Sequence, residues 1–155
     1  RLYLEWAEIE SRARPKRAAM FRARSSWKAM LAEDQPAYVL IDAAEKVARV
    51  FSRTKEEKLG LQVGRELTER VPYHSQSWQI RASYQLHAGN TSDANHSAQR
   101  SLELDENNPL AQELLGHCLL RFGRKDEARA AYQKALDLSA GSSDEDRMRE
   151  NLRRL

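Results

Sequence analysis

Four histidines, one cysteine and 23 acidic residues are the groups with which this 155-residue sequence could do chemistry. His74, His87, His96 and His117 are scattered, and none belongs to a His-Glu-x-x-His motif that would set two imidazoles around a zinc ion. Cys118 stands alone, so a paired-cysteine metal site and an internal disulfide are both excluded. A Gly-rich phosphate loop and a Gly-x-Ser-x-Gly nucleophile elbow are absent too. The carboxylates mostly alternate with Arg and Lys at helical spacing, as solvated helix faces do. Asn90-Thr91-Ser92 and Asn95-His96-Ser97 match the glycosylation sequon, a pattern short enough to arise by chance. No enzyme, cofactor or metal site is expected from these residues.

One cluster has a different chemistry. Arg12, Arg14, Lys16, Arg17, Arg22 and Arg24 crowd around Pro15, with Phe21 and Trp27 nearby. Residues 1–36 hold eight basic against five acidic side chains, and the rest of the chain is balanced, so the whole net charge of +3 lies at this end. Contact with phosphate or an acidic partner would need these cations on one face with aromatics exposed for stacking. Helical spacing brings Arg17 and Arg24 together and sends Lys16 elsewhere. Phe21 and Trp27 read as core, and the cluster as a solvated basic face.

The elements that must carry these residues are helices. Apolar residues at 41% are too many for a disordered tail, and six Gly with four Pro are too few for a many-stranded β-domain. No stretch approaches the roughly 18 apolar residues of a membrane-spanning helix. The opening RLYLEWAEIE carries charges where a secretory signal needs an apolar run. With a single cysteine, these features point to a cytoplasmic location.

Rows of equal length align three segments, 41–74, 75–108 and 109–142. Small residues recur at one register (Ala48, Ala82, Gly116) and again twelve positions later (Gly60, Ala94, Ala128). Gly89 and Gly123 also lie one row apart, where two helices would turn. Each row divides into two amphipathic helices, which approach closely only where side chains are short. One such pair cannot bury its apolar face alone, so pairs must stack. Residues 1–36 read as a helical hairpin, with Leu2, Trp6, Ile9 and Ala13 as one stripe and Pro15 in the first turn of its second helix. Ser142 with Glu145 has the spacing of a capping box, opening a helix over 143–155 with Met148, Leu152 and Leu155 as its apolar stripe. The expected fold is all-α, a right-handed α-solenoid of three helix pairs between these flanks, in a single domain over 1–155.

These rows resemble tetratricopeptide repeats. The third carries Leu115-Gly116, Ala128, Tyr132 and Ala135 at the family's positions. The second carries Trp78, Ala82 and Ala94, and departs with Gln85, Ala98 and Ser101. The first keeps Val47-Ala48, Phe51 and Pro72, and departs with Gly64. The resemblance implies that the first helix of each pair lines a concave groove. Its residues would be Glu45, Arg49 and Arg53 in the first row, then Gln79, Ser83, Leu86 and His87. The third row would add Leu110, Glu113, His117, Leu120 and Arg121. By this register His87 and His117 share the inner curve, where both read as groove-lining residues. The family's clamp for a chaperone carboxylate is not matched, since Glu45, Arg49, Ile80, Leu110 and Leu114 occupy its positions.

The resulting expectation is a non-enzymatic adaptor whose groove takes a segment of another protein, with self-association or a segment of its own chain as further occupants. Leu86, Leu110 and Leu120 would be the apolar anchors. The alternatives are phosphate binding to nucleic acid through the basic hairpin, or a docking region of a larger enzyme.

Overall fold

The computed structural model describes residues 16–54 and 57–155. Among them every regular element is a helix: α1 Lys16–Ala32, α2 Ala37–Thr54, α3 Glu57–Arg70, α4 Ser75–His87, α5 Thr91–Leu104, α6 Pro109–Arg121, α7 Lys125–Leu138 and α8 Glu145–Arg153. The first helix expected of the hairpin, with Arg12 and Arg14, lies outside the described residues. The chain forms two compact units that divide between Pro72 and Tyr73.

In the first unit α2 packs on both α1 and α3. Its buried stripe, Leu40, Ala43, Ala44, Val47 and Val50, repeats at helical spacing. The helix starts at Ala37, about one turn before the first aligned row, and the Pro36 carbonyl accepts hydrogen bonds from Val39 and Leu40 N–H. α1 buries Ala19, Ala23 and Trp27, which follow one another at helical spacing. Trp27 closes the unit: its indole N–H donates to Glu66 on α3 at 2.8 Å, and Gln62 donates to the other oxygen of that carboxylate at 2.7 Å. Phe21 corrects the sequence expectation. It is 73% exposed, because the buried stripe of α1 passes through small alanines on the opposite side.

The second unit holds two helix pairs, α4–α5 and α6–α7, followed by α8. Both turns use the paired glycines, Gly89 at φ +81° and Gly123 at φ +77°, backbone angles that other residues seldom adopt. The small residues sit where helices meet: Ala82, Ala94, Gly116 and Ala128 are all buried. The second row's departures from the repeat pattern become buried polar pairs. Ser97 donates to Gln85 at 2.7 Å. Ser101 donates to the Ser75 carbonyl at 2.9 Å, and Asn108 joins the same cluster by donating to the Ser75 hydroxyl at 2.8 Å. Asn108 also caps α6, accepting from Ala111 N–H at 3.0 Å ahead of Pro109. This cluster knots the start of α4, the end of α5 and the start of α6.

Helix α8 continues the register of the rows. Met148 falls one row after Leu114 and is fully buried, while Leu152 and Leu155 pack on the cluster of Leu119, Ala128, Ala131 and Tyr132. Glu150 stands where Gly116 and Ala82 stood one and two rows earlier. The capping box forms in a displaced version. Ser142 Oγ accepts from Asp144 N–H at 3.2 Å, and Glu145 accepts from Gly141 N–H at 2.8 Å. A turn bond from Glu145 N–H to the Ser142 carbonyl occupies the donor that a reciprocal box would use.

Candidate functional site

An open cleft of about 630 Å³ lies between α4 and α6 in the second unit. Nine sequence-predicted groove residues line it: Gln79, Ser83, Leu86 and His87 from α4, with Leu110, Glu113, His117, Leu120 and Arg121 from α6. They meet because α4 and α6 are first helices of successive pairs, presenting equivalent faces one row apart. Leu114 and Arg147 complete the wall. The anchors differ in depth. Leu120 is 37% exposed and Leu110 partly buried, whereas Leu86 sits low, in a core cluster with Ala94 and Cys118.

Of the three first-row predictions, Glu45 is partly buried on α2 and Arg49 is exposed there, and the side chain of Arg53 lies outside the described ones. Neither Glu45 nor Arg49 lines the first unit's own cleft of about 550 Å³, which α1 and α2 form with Met30, Tyr38, Asp42 and Lys46 among its walls. Of the basic cluster, the side chains of Arg22 and Arg24 are described. Arg24 is exposed and Arg22 partly buried. Lys16 and Arg17 belong to α1, with side chains outside the described ones.

Glu113 organises one end of the α4–α6 cleft. Arg147 of α8 contacts both its oxygens, at 3.1 Å and 3.0 Å, and Asn151 donates to one of them at 2.7 Å. Burial pushes this carboxyl up, but the bond from His117, the Arg147 charge and the Asn151 bond outweigh it and hold it below the usual carboxylate range. His117 lies between two partners. Tyr132 Oη is 2.7 Å from its Nδ1, and its Nε2 is 3.8 Å from Glu113. Burial, then the charges of Glu113 and Cys118, push the Tyr132 hydroxyl up to about 12, so it keeps its proton at neutral pH.

The other end of the cleft is arranged differently. Arg121 donates to the Leu86 carbonyl at 2.9 Å and lies 3.5 Å from the Thr91 hydroxyl. His87 Nδ1 donates to the Ser83 carbonyl of its own helix at 2.7 Å. The two histidines of the inner curve thus share the cleft but engage separate partners. Among the described residues no cluster of three or more His, Cys, Asp or Glu side chains is arranged to hold a metal ion. Cys118 is fully buried, and burial pushes its thiol up to about 11 despite the nearby Arg121 charge.

Sequence reasoning missed Arg147. Its signal was present, since Gln79, Glu113 and Arg147 fall at one register in successive rows, as do Ser83, His117 and Asn151. Reading α8 only as a cap hid the fact that it presents groove positions of its own.

Paired helices with small residues at their crossings, repeated at a constant row length, define a helical-repeat protein. Residues 81–143 match the family model of the tetratricopeptide repeat. Solved structures agree in fold. The type III secretion translocator chaperone SycD of Yersinia enterocolitica is similar at 19% identity, with a TM-score of 0.64 over 76% of this chain and 89% of that one. A structure of MamA protein is similar at 15% identity, with a TM-score of 0.67 over 97% of this chain and 77% of that one. The first tetratricopeptide-repeat domain of Spaghetti (RPAP3), bound to the HSP90 peptide SRMEEVD, is similar at 17% identity, with a TM-score of 0.64 over 79% and 91%. No curated protein sequence matches the chain. Among the described residues no helix is long and apolar enough to cross a membrane.

Proposed function

We propose that the chain is an interaction scaffold whose α4–α6 cleft docks a segment of another protein. The observation that carries this reading is the meeting of nine register-predicted residues along one open cleft, with Leu110 and Leu120 accessible on its wall. Stacked helices hold these side chains in place before binding, so the partner alone bears the ordering cost. A fold neighbour, Spaghetti (RPAP3), is bound to a peptide, which supports the same use of the fold here. The reading requires no catalytic group, and tetratricopeptide repeats typically serve as interaction modules.

The test compares the native chain with the Leu110→Ser/Leu120→Ser double variant in pull-downs at low and high salt. Retention of a partner at high salt by the native chain, and its loss by a variant of unchanged helicity, is the expected result. Equal retention by both proteins refutes the groove.

One observation favours a second reading. Exposed Phe21 shares a face of α1 with Arg24 and Lys28, both exposed, and neither cation pairs with a described carboxylate. An aromatic between cations suits base stacking with phosphate contact. A labelled single-stranded oligonucleotide should then bind at low salt and be released by Phe21→Ala. Absence of binding at low salt refutes this second reading.

A further inference from the structure

We propose that the segment docked in the α4–α6 cleft carries a carboxylate beside an aliphatic side chain, seated at the His87–Arg121 end. This rests on the groove reading above and adds the chemistry of the partner.

The first argument is the charge balance of the walls. His87, His117, Arg121 and Arg147 are basic, and Glu113 is the one carboxylate among the lining residues. Glu113 is already engaged by Arg147, Asn151 and His117, and its side chain is 11% exposed. Arg147 in turn meets a second carboxylate, Asp144, at 3.2 Å. That end of the cleft is therefore internally neutralised, with no open acid to receive a basic partner.

The His87–Arg121 end has no such compensation. Both side chains are exposed, and their described contacts are to carbonyl and hydroxyl oxygens. The bond to the Leu86 carbonyl uses one guanidinium nitrogen of Arg121, Nη1. Its other N–H groups remain available to a carboxylate, whose two oxygens match that planar fork. The same pairing of types occurs at equivalent places of the two rows: Leu86 precedes His87, and Leu120 precedes Arg121. Of the two leucines Leu120 is the accessible one, 37% exposed on the cleft wall, while Leu86 lies in the core beneath. One guanidinium with one imidazole suits a carboxylate better than a phosphate dianion, which arginine clusters favour.

The test uses the full chain and three short fluorescent peptides that share a Leu-Leu core flanked by Glu, Gln or Lys. Binding is read by polarisation at low salt. The expected order is Glu, then Gln, then Lys, with Glu over Gln by about three- to tenfold. The Glu-to-Gln ratio should fall toward one in Arg121→Gln and in His87→Gln. His87 bonds only to its own helix among the described residues, so its variant keeps the test valid if loss of the Leu86 contact disturbs Arg121→Gln. An equal or stronger grip on the Lys peptide overturns the proposal, as does a Glu preference that survives both substitutions. Binding indifferent to peptide charge but lost in Leu110→Ser/Leu120→Ser overturns the charge assignment and leaves the groove intact. Binding unaffected by that double change overturns both.

Discussion

Gly116→Ala adds one methyl group at a helix crossing that leaves no room for it. An ideal Cβ at Gly116 would lie 2.6 Å from Tyr132 Cε1, 2.7 Å from Cδ1 and 3.1 Å from Cζ. Carbon contacts are comfortable from about 3.5 Å, so the ring must retreat by about 0.9 Å. Tyr132 is poorly placed to do so. It is 1% exposed, bonds to His117 Nδ1 at 2.7 Å, and stands edge-on to that imidazole with centroids 5.2 Å apart. Overpacking of this kind costs about 1–3 kcal/mol, and replacing a mid-helix glycine by alanine returns up to about 1 kcal/mol. The net expectation is a loss of about 1–2 kcal/mol, or roughly 2–8 °C in Tm for a chain of this size. The assay is thermal unfolding by circular dichroism, in the native background and in Tyr132→Leu. Without the ring, Gly116→Ala should become neutral or stabilising. A native-background Tm that rises, or a loss of the same size in both backgrounds, refutes the argument that Tyr132 dictates glycine at this position.

Two more outcomes follow from the cleft and its floor. Cys118, buried with its thiol pushed up to about 11, should resist alkylation by a thiol reagent near neutral pH in the folded chain and react fully in denaturant. Rapid labelling of the native chain would contradict that burial. Glu113 has a folded-state value below its unfolded one, so its stabilisation is present above about pH 4.3 and is lost as pH falls through the folded value. Glu113→Gln should therefore cost about 1–3 kcal/mol at neutral pH and little in strong acid, measured by urea unfolding under both conditions. A penalty independent of pH would show that Arg147 and Asn151 do not act on the charge.

The second unit was readable in the sequence because glycine and alanine mark it twice. Gly89 and Gly123 fix turns that need positive φ, and Ala82, Gly116, Ala94 and Ala128 fix crossings, so the faces of α4 and α6 followed. Phe21 was misread because α1 buries alanines. Ala19 and Ala23 fit close packing by their size, and hydropathy favours the larger Phe21, which points away from them. Arg147 was not read because an arginine in a charged helix resembles a solvated side chain. Only its pairing with Glu113, a largely buried carboxylate one row earlier, reveals its place. The occupant of the cleft was not readable, since a surface built from a repeat register is set by a few side chains and not by the fold.

Glu150 governs what can pack against the outer face of α8. At the equivalent place in the two preceding rows, alanine and glycine admit a neighbouring helix. Here a carboxylate ion-paired with Arg154 at 2.9 Å stands instead. A helix packed on this face of α8 would have to displace that pair and desolvate its charge. For an engineer, Glu150→Ala is the change that clears this face of α8 for a packed helix.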